Sequence, residues 1–139
     1  MKRIHVLVAV VSIAALGWAG FSVPSLRAQE PLKAGTVLQK TDVVGGQEAM
    51  LVLREVPAGG QSGFHTSTGG EIVYVLEGSV ILELRGKPPV TVKQGAAFQT
   101  KAGEVHNVKN ASATAPCKAL AFYVAKPGTP MEELSIPAK

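Results

Sequence analysis

Short runs of apolar residues, alternating with polar ones or rich in β-branched side chains, recur along the chain after residue 35. A period of two is typical of β-strands, and no long segment beyond this point shows the 3.6-residue period of an amphipathic helix. The pattern predicts strands at residues 36–43, 49–56, 71–77, 80–84, 90–93, 96–100, 105–108 and 118–124. Short strands at close spacing favour an all-β fold, an antiparallel sandwich or barrel, over a parallel sheet with crossover helices.

Glycine and proline separate these runs and mark the turns, at residues 57–60, 69–70, 86–89 and 101–103. Pro88 and Pro89 lack the N–H that a ladder hydrogen bond needs, so we expect them in the connection between strands 80–84 and 90–93. Gly86 supplies the backbone freedom for the reversal. The two strands are therefore predicted to form a hairpin; the alternative is that they belong to different sheets.

The amino-terminal segment has the layout of a secretory signal. Two basic residues precede an apolar run over residues 4–23, Pro24 ends that run, and Ala28 is a small residue at a plausible cleavage point. These features predict a signal peptide over residues 1–28. An uncleaved anchor is the alternative, because about 20 apolar residues can cross a bilayer. Both interpretations put the rest of the chain outside the cytoplasm, as a secreted or periplasmic protein.

The chain length of 139 residues leaves room for one domain. We expect that domain to span residues 29–126, and we expect the proline-containing tail at 127–139 to be an arm or a loose end. Cys117 is the single cysteine, which excludes an internal disulfide and predicts a small buried thiol in the last strand.

The formal charge of +4 is concentrated at the amino terminus. Three of the 14 basic residues lie in the first 28 positions, which contain no acid, so the remainder has 11 basic residues against 10 acidic ones. A nucleic-acid-binding surface needs clustered Lys and Arg. The sequence therefore predicts no nucleic-acid partner, and no membrane contact beyond the signal segment.

Two histidines, His65 and His106, each follow a glycine-rich turn in a predicted β context. Side chains two residues apart on a strand share a face, so Glu71 is expected on one face of strand 71–77 and Tyr74 on the other. If His65, Glu71 and His106 face inward, three ligand-type side chains meet in an apolar lining. Phe98 and Phe122 are predicted as core residues. Arg54, Arg85 and Lys101 are predicted as surface residues, with the mouth of a pocket as the alternative.

The residues around the first histidine are His65, Ser67, Glu71 and, seven further on, Gly78. Around the second histidine the chain has Gly95, Lys101, Gly103, His106 and Asn110. These two sets resemble the two motifs of the cupin superfamily, in particular its small single-domain secreted members. The family's first motif has a second histidine where Ser67 stands, and its second motif has a proline where Lys101 stands.

The resemblance covers residues 38–125 and implies an antiparallel jelly-roll β-barrel with a pocket between its sheets. Only 16 residues separate Gly78 from Gly95, so the region between the motifs is minimal. The resemblance also implies a divalent metal ion, Fe, Mn or Zn, at His65, Glu71 and His106, because two imidazoles and one carboxylate suit these metals. An ionised Glu71 in an apolar barrel requires either a cation or a raised pKa.

Three functions remain open on these residues. The first is a metal-dependent oxygenase or isomerase acting on a small organic molecule, since three protein ligands leave coordination positions open. The second is a non-catalytic module that binds a metal or a small molecule, with the metal site degenerate because Ser67 replaces a ligand. The third is a purely structural role. The apolar second face of strand 71–77 needs a cover, which could be the edge of the other sheet, the tail or a second subunit; we expect a homodimer.

Overall fold

The structure is a computed structural model that describes residues 35–133. This part of the chain consists of strands and turns and contains no helix. The strands, in chain order, are β1 (Thr36–Val43), β2 (Gln47–Val56), β3 (Thr66–Ser67), β4 (Gly70–Glu77), β5 (Ser79–Leu84), β6 (Val90–Lys93), β7 (Ala97–Thr100), β8 (His106–Asn110), β9 (Cys117–Ala125) and β10 (Glu132–Glu133). Within the described range, nothing forms a helix long and apolar enough to cross a bilayer.

The strands form two main antiparallel sheets, which confirms the predicted all-β jelly roll. One sheet has the order β1-β2-β9-β4-β7 and the other the order β6-β5-β8, while β10 and β3 form a separate short pair. One cluster of buried side chains joins the two sheets: Val56, Val75 and Cys117 from the first, and Val80 and Val92 from the second. A second cluster lies along the five-stranded sheet, with Val52, Ala121 and Tyr123 among its members.

All eight predicted strands are present, and their boundaries differ from the prediction by no more than two residues. The predicted hairpin is confirmed, because β5 pairs with β6 in the register Val80↔Val92 and Leu82↔Val90. The signal segment at residues 1–28 lies outside the described residues.

The pair β3–β10 was not predicted, and it changes the view of the tail. The tail was expected to be an arm or a loose end, but its residues up to 133 fold back and form β10, which pairs with β3. Thr68 donates its N–H to the carbonyl of Met131 at 3.2 Å and its hydroxyl to the carbonyl of Pro130 at 2.6 Å. Met131 also packs against the buried cluster that contains Tyr123. Two-residue strands carry too little alternation to be visible in a sequence.

Phe122 corrects a second prediction. It was expected in the core, but its side chain is 41% exposed, because the alternation of β9 gives the inward positions to Ala121 and Tyr123. Phe122 lies instead on the outer face of the five-stranded sheet, beside its register partners Leu51 and Ile72. Phe98, also predicted as core, packs against both buried clusters.

The outer face of the five-stranded sheet is apolar over three neighbouring strands. The register places Leu51, Phe122 and Ile72 in one row. It places Leu53, Leu120 and Tyr74 in the next row. Ile72 is 51% exposed and Tyr74 is 44% exposed. Tyr74 therefore faces away from the interior, as its position on the strand predicted. We call these six residues the outer apolar face.

Candidate functional site

A cavity of about 50 Å³ lies between the two sheets. Its walls are largely apolar and include Val56, Val73, Val80, Phe98 and Val108, whereas its polar residues are Arg54, Ser62, His65, Glu71, His106 and Tyr123. A cavity of this size with polar groups on its wall is large enough for a few water molecules or a small ligand. The structure therefore brings the three residues that the sequence singled out, His65, Glu71 and His106, to the wall of one cavity.

The two histidines face each other across a pair of backbone hydrogen bonds. The N–H of His65 donates to the carbonyl of His106 and the N–H of His106 donates to the carbonyl of His65, both at 2.9 Å. The ring centroids are 4.2 Å apart with an interplanar angle of 52°. Both residues are buried. Residues 41 positions apart in the sequence are thus held together by main-chain bonds, independently of their side chains.

Backbone carbonyls fix the tautomer of both rings. Nδ1 of His65 lies 2.9 Å from the carbonyl oxygen of Gly63, and Nδ1 of His106 lies 2.8 Å from that of Glu104. A carbonyl oxygen can only accept a hydrogen bond, so each Nδ1 carries the proton and donates it. In the neutral rings Nε2 is then the nitrogen with the lone pair. Such an arrangement orients metal-binding histidines in proteins.

Glu71 is buried and is held by several hydroxyl groups. Tyr123 donates its hydroxyl to Oε1 at 2.7 Å, and Ser67 donates its hydroxyl to Oε2 at 3.0 Å. Thr100 donates to the same Oε2 at 3.4 Å. Nε2 of His106 lies 3.5 Å from this oxygen as well. Ser67 thus stands at the position of the missing histidine, and its hydroxyl contacts the carboxylate.

These contacts keep Glu71 ionised. Burial raises the pKa of its carboxyl group, but hydrogen bonds from His106, Tyr123 and Ser67, together with the charge of His106, outweigh burial and lower the pKa below its ordinary value. The sequence had suggested a cation or a raised pKa as the two ways to accommodate this buried acid. The pKa is lowered and not raised, and hydroxyl donors, which were not predicted, stabilise the carboxylate beside the charge of His106.

Tyr123 is a part of the site that the sequence reasoning missed. Arg54 donates from Nη2 to the Tyr123 hydroxyl at 2.9 Å, and its guanidinium carbon lies 5.8 Å from the centre of the Tyr123 ring. Burial, with the neighbouring charge of Glu71, raises the pKa of Tyr123 well above its ordinary range. Arg54 was expected at the surface, with the mouth of a pocket as the alternative; its side chain is half-buried and lines the cavity, so the alternative is the better description. The signal for this was its position on β2, two residues from Val52 and two from Val56, which both face inward.

The donor atoms fit a divalent metal ion in chemistry and in one of their spacings. Two ligands about 2.1 Å from one ion, at octahedral or tetrahedral angles, are about 3.0–3.4 Å apart. The distance of 3.5 Å between Nε2 of His106 and Oε2 of Glu71 is close to that value. Within residues 35–133, however, no group of three or more His, Cys, Asp or Glu side chains is arranged to hold a metal ion. His106 and Glu71 form a donor pair at 3.5 Å, and the centre of the His65 ring lies 4.2 Å from that of His106.

With its fold and cavity described, the chain can be compared with known proteins. The family model for the cupin domain matches residues 52–123, about half of the chain. The chain therefore belongs to the cupin superfamily, as its two motifs suggested. A search of curated protein sequences gives no match.

Solved structures show the same fold. A double-stranded β-helix protein from Klebsiella pneumoniae is 20% identical, with a TM-score of 0.60 over 80% of this chain and 90% of that one. A cupin domain from Bordetella pertussis is 21% identical, with a TM-score of 0.55 over 70% of this chain and 97% of that one.

The DMSP lyase DddQ from Ruegeria pomeroyi is 24% identical, with a TM-score of 0.53 over 65% of this chain. The match covers 43% of the lyase chain, so this chain corresponds to less than half of that enzyme. At these identities the three likenesses show the shared fold alone.

Proposed function

We propose that the cavity binds a small organic molecule next to a divalent metal ion, Fe, Mn or Zn, held by His106 and Glu71 with His65 as the third donor. One observation carries the proposal. Nε2 of His106 lies 3.5 Å from Oε2 of Glu71, and both side chains are buried. An imidazole nitrogen and a carboxylate oxygen are ligands that these metals accept, and this distance is close to the separation of two ligands of one ion.

The residues of the chain would orient the ligand and shield it from solvent. The carbonyls of Gly63 and Glu104 hold the two imidazoles, and the hydroxyls of Ser67 and Tyr123 hold the carboxylate. The apolar walls exclude water from the carbon skeleton of the ligand. A bound metal ion would supply Lewis-acid chemistry, which fits isomerase activity, and a redox-active ion such as Fe would also supply the electron transfer that an oxygenase needs.

Metal analysis tests this function. The chain is purified without a histidine tag, reconstituted in turn with Fe(II), Mn(II) and Zn(II) without oxygen, desalted, and analysed by mass spectrometry. We expect about one equivalent of one metal per chain, the value for a single site. The variant Glu71→Gln, which keeps the size of the side chain, is expected to lose most of the bound metal. The matched control is Glu77→Gln, because Glu77 is exposed and pairs with Lys118 outside the cavity. Less than about 0.1 equivalent in the parent chain would contradict the proposal.

The alternative is a metal-free, non-catalytic binding module. The observation in its favour is that hydroxyl donors already engage both oxygens of Glu71, which satisfies a buried carboxylate without a metal. A protein without bound metal whose thermal midpoint still rises with small organic ligands would support this function. Metal binding at one equivalent, without turnover of phenols, keto acids or sugars, would support a metal-binding module instead.

We further propose that two copies associate through the outer apolar face and that the protein is exported. The dimer would cover the aligned rows around Phe122 and Ile72, which a monomer leaves in water. Export rests on the signal segment at residues 1–28, and fractionation of the source cells tests it. Recovery of an uncleaved chain in the cytoplasm would contradict export.

A further inference from the structure

Arg54 has an unusual position for an arginine. On β2 it follows the inward residues Met50 and Val52 and precedes Val56, so its side chain points between the sheets. Its guanidinium group lies at the wall of the same cavity as His65, Glu71 and His106. A charged side chain on an apolar inner face is costly unless it has polar partners. One such partner is the Tyr123 hydroxyl at 2.9 Å.

Tyr123 separates the positive charge of Arg54 from the negative charge of Glu71. The tyrosine accepts a hydrogen bond from Arg54 and donates one to Glu71 at 2.7 Å. Glu71 is further held by Ser67 at 3.0 Å, so its oxygens face hydroxyl groups. The guanidinium has five N–H donors in a planar fork that matches a carboxylate. Arg54 therefore combines a positive charge with a place at the cavity wall, apart from the carboxylate of the site itself.

We infer that the ligand of this cavity is a small monocarboxylate whose carboxylate group binds Arg54 while its carbon chain packs against the apolar walls. The inference deepens the proposed function, since it assumes that the cavity takes an organic ligand. A cavity of about 50 Å³ favours a small ligand. Val56 lines the wall next to Arg54, and Phe98 and Val73 line the same cavity, so the chemistry around the ligand carbons is aliphatic and aromatic.

The permanent charge at the cavity wall agrees with an anion. The guanidinium group of an arginine stays protonated at ordinary pH, so Arg54 always presents a positive charge there. This charge attracts a carboxylate group and repels a cationic ligand.

Matched pairs of acids and amides test the inference. Isothermal titration of the full mature chain, with and without reconstituted metal, would compare acetate, propionate and butyrate with acetamide, propionamide and butyramide. Each pair has the same number of non-hydrogen atoms, so the comparison isolates the charge. We expect each acid that fits to bind at least about tenfold more tightly than its amide, as for a charge-assisted hydrogen bond.

Variants of Arg54 show whether this residue is responsible. Arg54→Gln is expected to remove the preference for the acid, and Arg54→Lys to keep part of it, because lysine retains the charge but loses the fork. Arg85→Gln is the control, because Arg85 is not among the residues that line this cavity. Its guanidinium carbon lies 5.9 Å from the centre of the Phe64 ring. Thermal unfolding of each variant checks that it folds.

The outcomes separate the two proposals. Acid preference that survives Arg54→Gln means that the acid binds elsewhere, for example at the metal, and overturns the inference alone. Equal binding of acids and amides by the parent chain overturns it too. Failure of every acid and amide to bind overturns both the inference and the proposed organic ligand. Loss of the preference for the acid in Arg54→Gln, with unchanged metal content, supports the inference. The metal analysis tests the metal site of the proposed function separately from these binding measurements.

Discussion

At the scale of single residues, Ser67 distinguishes this chain from the motif it resembles. Its hydroxyl is fully buried and donates to the carboxylate of Glu71 at 3.0 Å. The sequence could show that Ser67 replaces a histidine, because the positions of His65 and Glu71 on either side fix the comparison. It could not show that the serine compensates by stabilising the carboxylate, since this depends on the approach of two different strands.

Ser67→His is predicted to strengthen metal binding. An imidazole at this position would add a nitrogen donor near Glu71, and a further protein ligand should tighten binding by at least about tenfold. Competition with a coloured chelator measures the affinity. The control is Thr66→His, one residue away, where the strand turns the side chain to the other face. Equal effects of the two substitutions, or no effect of Ser67→His in a variant that folds, would contradict this prediction.

Arg54 and Tyr123 mark where residue-by-residue reasoning fails. Tyr123 lies on a strand whose alternation predicts an inward face, but its hydroxyl contacts Glu71 across 52 positions of sequence. Contacts of this kind depend on strand order in the sheet, and β9 lies between β2 and β4 although it follows both in the sequence. Periodicity gives the direction of a side chain and does not give its neighbour on the next strand.

At the scale of elements, alternation predicts long strands well because one face of each is buried. β1 is the exception, since its residues are largely exposed on both faces, and its β-branched residues were enough to indicate it. The short strands β3 and β10 gave no signal. Turn residues were informative: Gly78, the last residue of the first motif, separates β4 from β5 and has a φ of 78°.

Gly78→Ala is predicted to destabilise the fold by more than Gly45→Ala. Both glycines have a positive φ, which costs an alanine roughly 1–2 kcal/mol. A Cβ at position 78 would also stand 3.0 Å from Cβ of Cys117, whereas nothing lies within 4 Å of a Cβ at position 45. Urea unfolding measures the free energy of both variants. Equal losses would show that the contact with β9 does not matter and that conformation alone selects glycine.

Strands β5 and β8 give a prediction for acid unfolding. Lys109 donates to Glu83 at 2.8 Å, and this bond, with one from Asn107, lowers the pKa of Glu83 below its ordinary value of 4.5. Because the folded pKa is the lower one, the stabilisation is present above pH 4.5 and is lost as the pH falls through the folded pKa. Lys109→Gln is therefore expected to lower the free energy of unfolding at neutral pH. Between about pH 5 and pH 3, the free energy of unfolding of this variant should fall less steeply than that of the parent chain.

Urea unfolding at a series of pH values measures this effect. The control is Lys93→Gln, on the exposed side of β6. A parent chain and a Lys109→Gln variant with parallel stability curves below pH 5 would contradict the assigned role of the pair.

At the scale of the whole molecule, the superfamily and the jelly roll followed from the two motifs and the strand pattern, and the outer apolar face followed from the alternation of β4. The sequence did not show how wide the outer apolar face is, because Phe122 was assigned to the core. The register of β2, β9 and β4 extends the face over three strands.

Ile72→Glu and Phe122→Glu are predicted to convert a dimer into a monomer. A carboxylate in the middle of an apolar interface remains unpaired, which costs several kcal/mol and weakens association strongly. Light scattering after size exclusion, at micromolar concentration, gives the mass. Val44→Glu is the control, because Val44 is 98% exposed in the turn between β1 and β2. A parent chain that elutes as a monomer would contradict the dimer.

The pairing of β10 with β3 has a practical consequence for handling this protein. Glu132 pairs with Ser67 in the ladder, and Ser67 in turn supports Glu71. Shortening the chain at residue 129 would remove the strand that braces Ser67, although no cavity residue would be deleted. A fusion partner or affinity tag attached directly after β10 would adjoin this brace. Recombinant forms intended for ligand studies should therefore carry any added sequence ahead of β1 rather than directly after β10.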